Sequence, residues 1–169
     1  MVWVSLFAIL VLIFSFVGGL KEGAVKQFVS LVVLIVAIPL AGISYHLVAT
    51  VLSFLPGENW ENFVGFFITL AIISVILHLV ALLPRKLVQK IWKRGLLFRL
   101  LGGALNTFNA SIGMVVFTLV LLAYPIFDWL ERAIAGSSVI SALVQALGFV
   151  QALLPGIFRD AANLMVSIL

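Results

Sequence analysis

Asn106 and Asn109, two histidines and a scatter of basic residues are the side chains in this sequence with the most chemistry to offer. Gly102, Asn106 and Ala110 recur at spacings of four, and so do Gly103, Thr107 and Ser111. On a helix that spacing forms one strip of small and polar groups. Such a strip does one of two jobs inside a membrane. It lets helix backbones approach and hydrogen-bond, or it lines a polar path. Asn109 lies beside the strip. A buried amide is costly unless paired, so Asn106 and Asn109 are expected to face protein or water. His46 and His78 fall toward the ends of apolar runs and are read as neutral, hydrogen-bonded side chains. Two histidines on opposite sides of a membrane make no metal site. Asp and Glu are missing from the middle of every apolar run, which argues against proton-coupled transport. Walker, nucleophile-elbow and zinc-protease motifs are absent as well, so the sequence supports no catalysis and implies no cofactor or metal.

The elements that position these groups follow from composition. Apolar residues make up 64% of the chain and charged residues 9%. A soluble fold of 169 residues could not bury so much apolar surface, so the lipid bilayer is the expected solvent. The chain has no cysteine. Apolar runs cover residues 2–20, 27–50, 63–83 and 100–124. Each reaches or approaches the roughly 20 residues that a spanning helix needs. Strands are not expected, because the runs do not alternate and open sheet edges cannot face lipid. The expected fold is therefore an all-α integral membrane protein of one domain, with four transmembrane helices. The third run should stop at Pro84. Val139–Leu154, with Ser141, Gln145 and Gln151 on one side, and Ile157–Leu169 read as amphipathic helices within a C-terminal region spanning 134–169. A fifth span over Val139–Leu154 is the alternative.

Charge placement gives an orientation. Lys21 and Lys26 lie between the first two runs; Arg85, Lys86, Lys90, Lys93, Arg94 and Arg99 lie between the third and fourth. The positive-inside rule puts both loops in the cytoplasm and both termini outside. As a helix, Arg85–Phe98 carries Lys86, Lys90, Lys93 and Arg94 on one face, with Leu87, Val88, Ile91 and Trp92 toward the other. That pattern predicts a basic helix lying in the membrane interface. These bases are what topology requires, so nucleic acid is not an expected partner. The expected partners are the lipid bilayer and other membrane proteins, or further copies of the chain.

The stretch FSFVGGLKEGAVKQFVSLVV interrupts the apolar sequence with a glycine pair and charges. A peptide-toxin leader would end in a double glycine like Gly18-Gly19, and a signal peptide would begin with bases. The better reading is a helix–turn–helix at the cytoplasmic face, with the glycines supplying the turn and Lys21 and Lys26 holding it at the headgroups.

The same residues carry a family resemblance. Gly19, Lys21, Gly23, Lys26, Gln27, Ser30 and Leu31 match the signature turn of the colicin V production protein family (CvpA), with Ala24 where an aromatic is usual. Arg99 and Gly102 match a second signature. There Phe98 replaces a common acid, Asn106 a glycine, and Asn109-Ala110 a basic-Gly pair. A late Ser-x-x-x-x-Leu region begins near Ser138. The resemblance runs in order over residues 1 to about 155. It implies a bacterial inner-membrane protein linked to toxin production or secretion, acting as an accessory factor without a known reaction. Taken together, Gly19, Lys21, Gly23, Lys26, Gln27, Arg99, Gly102, Asn106 and Asn109 are the candidate functional or packing residues. A small oligomeric channel or transporter, and a membrane scaffold, are the competing readings.

Overall fold

A computed structural model describes the backbone of residues 2–91 and 95–156, and the side chains of residues 2–82 and 95–156. The described chain is helical. Four long helices, α1 (Val2–Glu22), α2 (Ala24–Ala49), α3 (Glu58–Ile91) and α4 (Leu96–Ala123), precede three short ones: α5 (Asp128–Ala135), α6 (Ser138–Ala146) and α7 (Phe149–Leu153). A single 3₁₀ turn, Thr50–Leu52, extends α2. Four helical stretches among the described residues are long and apolar enough to cross a membrane: Val2–Glu22, Ala24–Leu52, Glu58–Leu82 and Leu96–Ala123. At ~1.5 Å per residue, even the shortest reaches about 31 Å, the thickness of a bilayer's hydrocarbon.

Their outer faces require lipid. Phe14, Ile43, Leu47, Val75, Leu79 and Val80 are each more than half exposed. In water so continuous an apolar surface would drive aggregation. The core is a single cluster centred on Ile38, Ala41, Tyr45, Phe66, Ile112, Val115, Val116 and Leu119, where α2, α3 and α4 meet.

Neighbours in space are not neighbours in sequence. The helix α3 packs along α2, α2 along α4, and α4 along α1, while α1 and α2 scarcely touch beyond their turn. The helix α6 lies against α1 and α4, and α7 against α2 and α4. The start of α3 is tied to the end of α4, where Asn59 Nδ2 donates to the Pro125 carbonyl at 3.0 Å. Beside it Trp60 meets Phe127 edge to face at 5.3 Å. Tyr45 and Tyr124 join α2 to the end of α4 through their buried hydroxyls.

Several expectations are corrected. Helix α1 passes straight through Gly18 and Gly19; the turn is Gly23 alone, at φ 83° and ψ 161°. That region of backbone space is open essentially only to glycine, and one such residue suffices to reverse the chain. Helix α3 does not stop at Pro84 but continues to Ile91. A proline costs the helix one hydrogen bond; unwinding at the membrane boundary would free more backbone groups. Residues 85–91 therefore prolong α3 instead of forming a separate basic helix. The side chains on which the interfacial reading rests lie outside the described residues, as does Ile157–Leu169. Pro39 is likewise carried inside α2.

The single helix expected over Val139–Leu154 is two, α6 and α7, parted at Leu147-Gly148. At 9 and 5 residues neither crosses a bilayer. The segment around Asp128 is a further short helix, α5. It has Asp128 and Glu131 in its first turn and Arg132 in its last, the arrangement that complements a helix dipole.

Candidate functional site: a polar seam where α1, α2 and α4 meet

The candidate residues converge on one place. The turn between α1 and α2 sits against the first two turns of α4, with α1 and α4 antiparallel. Gly19 is fully packed on Gly102: a Cβ built on Gly19 would run into the Gly102 carbonyl oxygen and fall 2.6 Å from the Asn106 Cβ. A Cβ on Gly102 would in turn lie 2.6 Å from the Gly19 oxygen and 2.9 Å from the Gly23 Cα. Gly103 is closed off by Phe16, whose ring would sit 2.8 Å from an added Cβ. Small residues at these positions let two backbones touch.

Directly above the glycines come the amides. Asn106 Nδ2 donates to the Ser15 carbonyl of α1 at 2.6 Å. Asn109 Nδ2 donates to the Gln27 carbonyl of α2 at 3.1 Å, and at 3.4 Å to the Gln27 side-chain oxygen. Ser15 is four residues before Gly19, so its carbonyl is already an acceptor within α1; carbonyl oxygens have two lone pairs. The two asparagines thus clamp α1 and α2 onto α4. The Asn109 Oδ1 is buried and has no partner. Thr107 and Ser111 hydrogen-bond within α4, to the carbonyls of Gly103 and Thr107. The Nδ2 atoms of both asparagines and the hydroxyls of Thr107 and Ser111 are therefore committed to helix contacts.

At the turn end of the seam, Arg99 Nε donates to the Leu20 carbonyl at 3.3 Å. That oxygen belongs to the last turn of α1, where carbonyls lack helical partners and a cation is favourable. Glu22 accepts from Gln27 Nε2 at 2.6 Å and pairs with Lys26. Gln27 itself is 2% exposed. Lys21 is exposed and makes none of these contacts.

The structure therefore brings together Gly19, Gly23, Lys26, Gln27, Arg99, Gly102, Asn106 and Asn109, and leaves Lys21 outside the seam. Sequence reasoning passed over Glu22, which joins Lys26 to Gln27; its signal was the acid four residues before Lys26. It also had no means of finding the carbonyls of Ser15 and Leu20, because backbone acceptors carry no sequence mark. The histidines lie elsewhere: His46 is exposed beside Tyr45, and His78 Nδ1 is 3.0 Å from the Ser74 carbonyl. No group of three or more metal-ligating side chains occurs among the described residues.

The family model described as Colicin V production protein matches residues 4–148. No curated protein and no solved structure matches the chain. The matched segment runs from the first turns of α1 to the end of α6, taking in the whole seam and all four long helices. With that coverage and that architecture, this multi-pass membrane protein belongs to the Colicin V production protein family.

Proposed function

We propose that the protein is a non-catalytic accessory factor of the bacterial inner membrane, acting in the production or export of a peptide toxin and in envelope homeostasis. It works through other membrane proteins or further copies of itself, as a scaffold. The family match over residues 4–148 ties it to toxin production. The observation that favours a scaffold over a channel is the use of Asn106 and Asn109. Both amides donate to backbone carbonyls of neighbouring helices, and a residue clamped that way does not line a path for ions. Both termini lie on the outer side of the inner membrane in this reading, with the Gly23 turn in the cytoplasm, as its lysines require.

The test is a deletion strain carrying a colicin V-type toxin system, with toxin measured inside and outside the cells and the intact gene restored as control. Loss outside with accumulation inside is the expected result and places the protein in export. Loss in both compartments places it in synthesis. Unchanged toxin in both sinks the proposal.

A further inference from the structure

A cavity of about 480 Å³ lies between α1 and α4 in the half of the molecule away from the Gly23 turn. On α1 it runs from Trp3 to Val11, and on α4 from Ala110 to Thr118; Leu130, Ile134 and Ile140 of α5 and α6 close it above. Its wall is almost wholly apolar, and Phe7 and Gly113 leave one side open to the surroundings of the helices. We propose that this cavity holds an acyl chain of a membrane phospholipid.

Length and chemistry converge on that occupant. Eight residues of helix span ~12 Å, close to the hydrocarbon depth of one leaflet, about half of 30 Å. The cavity begins where Trp3 and Trp129 pair at 6.2 Å, both more than half exposed, and tryptophans favour the membrane–water interface. It ends below Ala110, where the α1–α4 seam shuts at Asn106.

Gly113 supplies an independent sign. It sits mid-helix, where glycine is less favourable than alanine. Unlike Gly102 and Gly103, it is not pressed by a neighbour: an added Cβ meets nothing within 4 Å. Its effect is to keep the cavity wall back. The apolar species that surrounds a spanning helix bundle at highest concentration is the lipid chain.

The experiment uses the full-length protein in vesicles of phosphatidylethanolamine and phosphatidylglycerol. The probe is phosphatidylethanolamine with a photoreactive diazirine on one acyl chain, and insertion sites are mapped by mass spectrometry. Phe7, Val11 and Met114 should be labelled about fivefold more than Val75 and Leu79 on the lipid-facing side of α3, and Gly113→Phe should cut the excess by about tenfold. Gly113→Ala and Val11→Phe give milder fillings if Gly113→Phe does not assemble, and each should lower the excess in part. Equal labelling at both places would mean bulk lipid only and overturn the proposal, as would an excess that filled variants leave intact. Weak labelling together with a cross-linked dimer would assign the cavity to a second copy, which also overturns it. The readout is lipid, not toxin, so its outcome stands apart from the toxin assay.

Discussion

Gly19 and Gly102 face each other without a side chain between them, so the end of α1 and the beginning of α4 are in backbone contact. The other contacts between α1 and α4 in the seam depend on that approach. Asn106 reaches the Ser15 carbonyl and Arg99 the Leu20 carbonyl only because the two helices stand this close.

Enlarging either glycine should part them. Gly102→Ala and Gly19→Ala are each expected to destabilise the protein by ~1–3 kcal/mol, the usual range for overpacking, and Leu at either site by more. Gly113→Ala, whose methyl group has room, is the contrast and should be neutral or slightly stabilising. Denaturation by SDS in mixed micelles, followed by circular dichroism, measures all of them. Equal stability of Gly102→Ala and the wild type would show that the helices separate freely.

Gly23 and Gly95 test backbone geometry apart from crowding, since an added Cβ meets nothing within 4 Å at either. Gly23 has φ 83° and Gly95 φ −96°. Gly23→Ala should therefore cost ~1–3 kcal/mol, and Gly95→Ala close to nothing. The same unfolding measurement decides; similar values for both would remove the turn geometry as the reason for glycine.

Asn106→Leu should weaken assembly by ~0.6 kcal/mol and at most about 1.7, the range for hydrogen bonds between membrane helices. Reconstituted protein should show no ion flux either before or after the change. Flux in the wild type that vanishes in the variant, with assembly intact, would replace the scaffold reading with the channel.

Orientation can be read with single cysteines, because the chain has none of its own. Lys21 and Glu58 are both exposed, one beside the Gly23 turn and the other at the start of α3. A membrane-impermeant maleimide applied to intact cells should label Glu58→Cys and not Lys21→Cys. The reverse pattern would mean the chain is inserted the other way round.

How much of this the sequence disclosed depended on range. The four long helices were legible because a spanning segment needs only apolar length. The turn was legible to within five residues: the charges marked it, but the Gly18-Gly19 pair drew attention from Gly23. Those two glycine sites answer different demands, close approach at Gly19 and a positive φ at Gly23, and the residue type alone does not distinguish them. The strip on α4 was visible as a spacing of four, and its need for partners followed from desolvation. Which partners it takes was hidden, because Ser15 lies 91 residues from Asn106 and Gln27 lies 82 from Asn109. Helix α5 was overlooked although DWLERAIA carries acids first and a base last. Its 8 residues are too few for a clear apolar period.

The packing order of the helices constrains how the protein comes into being. As the ribosome delivers the chain, α2 and α3 can pair at once, but α1 finds its mate only when α4 emerges, some 80 residues later, at Arg99 and Gly102. During that interval α1 is tethered through a single glycine and otherwise drifts in the lipid, or shelters with the insertion machinery. The bundle is complete only once the fourth helix has arrived to lock the first in place.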